Sequence, residues 1–159
     1  MITGFIFVPG AFMFVQRLTI ATATALLLLM SACSRDSGPT LTAPEAFAQA
    51  QAGQLTLIDI RRPEEWRQTG VAKGALRIDM TNAQGETGFV KQVTAKMGGR
   101  KNAPIGLLSL TGNRGAIAQH VLREAGFTQV YNIKEGMMGS NAGAGWIARG
   151  LPLEACERC

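Results

Sequence analysis

The chain has 159 residues, room for one domain of ordinary size, and its 47% hydrophobic and 17% charged residues exclude a disordered chain. A net charge of +5 without a basic cluster excludes a nucleic-acid footprint, so no nucleic-acid partner is expected. Nineteen glycines without a period exclude collagen, and three cysteines are too few for a disulfide scaffold.

The first 34 residues hold one charged side chain, Arg17, and Leu18 to Met30 are uncharged and mostly apolar. A basic residue, an apolar run and then small residues read as a secretory signal; the run is short against the roughly 20 residues of a membrane span. The run ends Leu29-Met30-Ser31-Ala32-Cys33. Small residues directly before a cysteine resemble the lipobox of bacterial lipoproteins. The resemblance implies that residues 1–32 are removed and that Cys33 becomes the lipid-bearing first residue, facing the periplasm or cell exterior of a bacterial envelope. The alternative is an ordinary signal with a stray cysteine. Residues 1–12 are apolar, unlike the charged start of a signal, and Met13 would give a more usual beginning. If residues 1–12 belong to the protein, Ile2 to Ala32 is long enough to span a membrane uncut. Residues 33–41 read as a short tether, with Ser34 to Thr40 too polar to pack.

The body, residues 42–154, alternates helix and strand. Thr42 and Glu45 form a capping box, and the helix they open runs to about Ala52 and stops at Gly53. Leu55 to Ile60 has the composition of a buried parallel strand. Pro63 to Gln68 is one or two helical turns opened by Pro and acids, and Leu76 to Asp79 a weak strand. Phe89, Val93 and Met97 share one face of a helix, and Pro104 to Ser109 is a third strand. Gly115 to Ala125 is a helix ended by Gly126, and Gln129 to Ile133 a fourth strand. Strands separated by helices predict an α/β sandwich around a mainly parallel sheet, with ligands where strands end and helices begin.

That rule directs attention to the loop Ser109-Leu110-Thr111-Gly112-Asn113-Arg114-Gly115. Its glycines let successive N–H groups curl toward one point. The helix start adds about half a positive charge, and Arg114 a full one. The loop reads as an anion cradle; a plain strand-to-helix turn is the alternative.

Over roughly Thr42 to Glu154 the sequence resembles the single-domain rhodanese family of sulfurtransferases. Asp59-Ile60-Arg61 followed by Pro63-Glu64-Glu65-Trp66 looks like the family's Asp-x-Arg strand end and its Pro-Glu-Glu-aromatic helix. Gly70-Val71-Ala72-Lys73-Gly74-Ala75 is similar to its Gly-His-Ile-x-Gly-Ala segment, without the histidine. Thr111-Gly112-Asn113-Arg114 matches the second half of its Cys-x-x-Gly-Asn-Arg loop. Gly126-Phe127, Val130-Tyr131, Glu135-Gly136-Met137, Trp146 and Gly150-Leu151-Pro152 resemble the family's ending.

The resemblance implies a three-layer sandwich and a mechanism. In rhodaneses the loop cysteine is a thiolate that becomes a persulfide and passes its sulfur to a thiophilic acceptor, with loop N–H groups and the arginine stabilising the anion. Here that position is Ser109, whose oxygen cannot carry a persulfide. The only histidine, His120, falls inside the following helix and supplies no base, and Leu110 stands where many members carry a basic residue. Asp59 and Arg61 are expected to hold the scaffold around the loop. The tail, residues 155–159, ends in Cys156-Glu157-Arg158-Cys159. This pair is read as a closed disulfide or idle thiols, or else as a redox or sulfur carrier. Too few further ligands exist for zinc, so no metal and no cofactor are expected.

The expected function is a lipid-anchored, catalytically degenerate rhodanese domain that binds a small anion or sulfur-containing ligand. The alternative is a sulfur-transfer or thiol-redox enzyme using Cys156 and Cys159.

Overall fold

The computed structural model describes residues 38–159. The expected export signal, Cys33 and the start of the expected tether lie outside the described residues. The elements in chain order are β1 (Thr40–Leu41), α1 (Ala43–Gln51), β2 (Thr56–Asp59), α2 (Pro63–Thr69), β3 (Val71–Ala72), β4 (Leu76–Arg77), α3 (Gly85–Lys96), β5 (Ile105–Leu108), α4 (Asn113–Glu124), β6 (Val130–Ile133) and β7 (Leu153–Glu154).

Five strands form one sheet in the order β1-β6-β5-β2-β4, every pairing parallel. Side chains alternate across it. Ile58, Ile105 and Leu107 point to one face, where they meet Phe89 and Val93 of α3 and Ala118 and Leu122 of α4. Leu57, Leu108 and Ile133 point to the other, against Ala43 and Ala46 of α1, Met137 and Trp146. The result is the expected α/β sandwich with helices on both faces of a parallel sheet. A separate antiparallel ribbon, β3 with β7, ties the chain end to the segment after α2.

Several boundaries differ from the sequence reading. The tether is shorter than predicted, because Thr40 and Leu41 add an edge strand beside Asn132 and Ile133. Its attachment is by backbone: Asn132 N–H donates to Pro39 O (3.1 Å) and Lys134 N–H to Leu41 O (3.3 Å). Low apolar content therefore gave no warning. The helix α3 starts at Gly85, four residues before its apolar stripe, and α4 at Asn113, two residues earlier than its stripe suggests. The α1 capping box is present: Glu45 N–H donates to Thr42 Oγ1, and Thr42 N–H to Glu45 Oε2 (2.8 Å).

Candidate functional site

β5 delivers the loop at the carboxyl edge of the sheet. Ser109 is fully buried, and its Oγ accepts the Gly112 N–H at 3.0 Å. Gly112 has φ +86° and caps α4; a β-carbon there would run into the Lys134 backbone. Only glycine turns the chain so tightly against that strand end without strain. The segment after β6 holds the loop from below. Met137 N–H donates to Ser109 O and Met138 N–H to Leu110 O, both at 2.9 Å, and Asn132 Nδ2 donates to Gly112 O at 3.1 Å. Among the described residues the Leu110 and Thr111 N–H groups meet no acceptor, and the first N–H groups of α4 are free by helix geometry.

Arg114 differs from expectation. Its guanidinium does not hang unpaired over the loop. Nη1 donates to Glu65 Oε2 at 2.8 Å and Nη2 to Oε1 at 2.5 Å. Arg62 N–H also donates to Glu65 Oε2, at 2.9 Å. Burial disfavours the Glu65 charge, but the Arg114 and Arg62 hydrogen bonds outweigh it and hold the carboxyl below the usual range. The same hydrogen bond raises Arg114 further. Arg114 therefore fastens α4 to α2, and its positive charge is already matched.

The cation that lines the loop's outer cleft is Lys134, missed in the sequence because it lies beyond β6. That cleft, about 520 Å³, is also lined by Thr111, Gly112, Asn113, Asn132 and Ser140. Buried Asn132 Oδ1 has no hydrogen-bond partner among the described residues. His120 is exposed on α4, in a different cleft with Glu86 and Ile117.

Asp59 and Arg61 are both fully buried and bonded to each other, with Arg61 Nη2 2.7 Å from Asp59 Oδ2. Arg61 also donates to Thr69 Oγ1 (2.8 Å) and Gly70 O (2.7 Å), so it locks the end of β2 to the end of α2. At the tail, Cys156 and Cys159 are joined as a disulfide. Cys156 is buried with Trp66 and Val71. The cleft beside it, lined by Arg77, Ala155, Cys156, Glu157 and Arg158, shares no residue with the loop cleft. Among the described residues no group of three His, Cys, Asp or Glu side chains could hold a metal ion.

The Rhodanese-like domain family matches residues 42–142. An uncharacterised protein of Rickettsia conorii is 31% identical over 104 residues, 62% of this chain and 81% of its own. The polysulfide-sulfur transferase homodimer of Wolinella succinogenes superposes with a TM-score of 0.58 at 25% identity, over 85% of this chain and 91% of its own. A protein of M. tuberculosis gives 0.59 at 27% identity, over 75% and 98%. With a loop held where a parallel strand meets a helix and a family match across most of the described residues, this chain belongs to the rhodanese-like domain family.

Proposed function

We propose that the protein is an exported, lipid-anchored rhodanese-like domain whose loop no longer transfers sulfur and serves instead as a binding module for a small anion or sulfur-containing ligand. One observation carries this reading: the residue at the persulfide position, Ser109, is fully buried with its Oγ already engaged by the Gly112 N–H. A hydroxyl there is un-ionised near neutral pH and forms no persulfide. The ligand site is the neighbouring cleft, where the Thr111 N–H, the start of α4 and Lys134 offer donors and positive potential. Of the tail pair, Cys156 borders a different cleft that shares no residue with the loop cleft, so the pair is no substitute for the loop nucleophile.

The test uses residues 38–159 with Cys156→Ser and Cys159→Ser, so that no other thiol can act. This protein is expected to bind thiosulfate weakly in calorimetry and to lack thiosulfate:cyanide sulfurtransferase activity. Adding Ser109→Cys is expected to create a reactive thiol, because the Gly112 N–H and the helix start lower a thiol pKa from about 8.5. Turnover should be partial, and Leu110→Arg should raise it. Robust turnover with Ser109 intact would overturn the degenerate-loop reading; no thiosulfate binding at any practical concentration would overturn the binding-module reading.

A further inference from the structure

The tail disulfide is asymmetric. Cys156 is 7% exposed and packs with Trp66 and Val71, whereas Cys159 is partly open. Arg77, at the end of β4, reaches both sulfurs through one nitrogen: Nη1 lies 2.7 Å from Cys156 Sγ and 3.2 Å from Cys159 Sγ. Among the described residues no carboxylate stands within ion-pair distance of Arg77. A guanidinium gains little from two neutral disulfide sulfurs and far more from a thiolate. The Trp66 indole N–H, in the cluster that buries Cys156, is also without an acceptor among the described residues. Donor capacity around Cys156 thus exceeds what the closed disulfide uses. Arg158 and Glu157 complete the charged lining of the adjoining cleft, which has room for about 470 Å³. Arg67 donates nearby to the Cys159 main-chain oxygen.

We propose that Cys156–Cys159 is a thiol–disulfide exchange site for dithiols, with Cys159 the attacked sulfur and Cys156 the leaving thiolate held by Arg77. One thiolate of the dithiol attacks Cys159 Sγ. A mixed disulfide forms, the Cys156–Cys159 bond breaks, and its electron pair goes to Cys156 Sγ beside the guanidinium. The second thiolate of the dithiol then attacks its own partner's sulfur in the mixed disulfide and releases Cys159 as a thiolate. The dithiol is oxidised to a disulfide and the tail pair is reduced, two electrons in all. The two dithiol protons pass to solvent or to the new thiols. This exchange needs nothing from the loop, so it stands or falls apart from the binding-module reading.

The experiment uses the full chain with Cys33→Ser. Disulfides quench nearby indole fluorescence, so opening by dithiothreitol should raise emission, and a Trp66→Phe variant should lack that rise. Arg77→Gln should slow opening about three- to tenfold by weakening the leaving thiolate, with Arg77→Lys in between. Arg77 is exposed and, among the described residues, makes side-chain bonds only to the two sulfurs, so folding is little affected. In a Cys159→Ser variant, the alkylation rate against pH should put the Cys156 thiol below the ordinary value of about 8.5. At a pH where both thiols are ionised, so that access alone decides, glutathione disulfide should cap Cys159 in a Cys156→Ser variant faster than Cys156 in the Cys159→Ser variant. A peptide bearing Cys-x-x-Cys that outpaces dithiothreitol assigns a protein dithiol, and equal rates a small one. An unchanged opening rate in Arg77→Gln, an ordinary Cys156 pKa, equal capping of the two cysteines, or no reaction with either dithiol would overturn the proposal.

Discussion

Glu65 and Arg114 show how one contact redirects the reading of a loop. The position of Arg114 beside a helix start was legible in the sequence; its partner, 49 residues earlier on another helix, was not. Short-range spacing identifies a cation but not the carboxylate that long-range packing brings to it. The pairing has a pH signature. Glu65 has a folded-state pKa below its unfolded value, and so does Glu45, where the Thr42 backbone N–H stabilises the charge. Such groups contribute stability fully above their unfolded pKa of about 4.3, and lose it as pH falls through the folded value. The urea midpoint should therefore hold from pH 7 to about 5 and decline below about 4.5. Glu65→Gln should lower the midpoint at pH 7 and flatten the decline between pH 4.5 and 3. A variant that tracks the wild type in parallel through that range would show that the Arg114 pair contributes nothing.

Among the elements, β2, β5 and β6 were legible because each is a short apolar run that spans the core. Ile58, Leu107 and Val130 sit at 1% exposure or less, and burial on both faces writes itself into composition. The strands β1, β3 and β7 have two residues each and are paired through backbone bonds, which leave no pattern in side-chain type. The early start of α4 has the same origin: its first turn, Asn113 and Arg114, serves the loop and not the core. Asp59 and Arg61 lie between these cases. Their Asp-x-Arg spacing marked them, and burial shows what they do: Arg61 fastens β2 to α2 through five acceptors on four residues. Arg61→Ala would leave the Asp59 carboxylate buried and unpaired, which costs about 3–5 kcal/mol. Urea unfolding of residues 38–159 should show a loss of that size. The double variant Asp59→Leu/Arg61→Met should lose less than Arg61→Ala, because no orphan charge remains. An Arg61→Ala protein with an unchanged midpoint would remove Arg61 from the scaffold.

For the whole molecule, the family was legible because its pieces recur in order along the chain, even though each is short. The proposal that the loop is degenerate also starts from the sequence, since it rests on the single side chain Ser109 at the position where the family's loop carries cysteine. What the sequence could not supply was the separation of the loop cleft from the tail cleft, which depends on α2 standing between Arg114 and Cys156. Glu65 of that helix pairs with Arg114, while its neighbour Trp66 packs on Cys156. The two sites proposed above would suit the proposed envelope setting, where a disulfide persists and a lipid would hold the protein at a surface. The anchor is the part of this proposal that rests on sequence alone: Leu29-Met30-Ser31-Ala32 directly precedes Cys33 at the end of an apolar run. Lipidation at that thiol would make membrane attachment depend on one atom. In a bacterial host, labelled fatty acid should enter the wild-type chain and not Cys33→Ala. The wild type should sediment with membranes, and the variant should shift toward the soluble fraction if its signal is still cleaved. Equal labelling of the two chains would show that Cys33 bears no lipid. Membrane retention of an unlabelled, uncleaved Cys33→Ala chain would instead show that the apolar amino terminus can itself hold the protein in the bilayer, separating the two modes of attachment that the sequence allows.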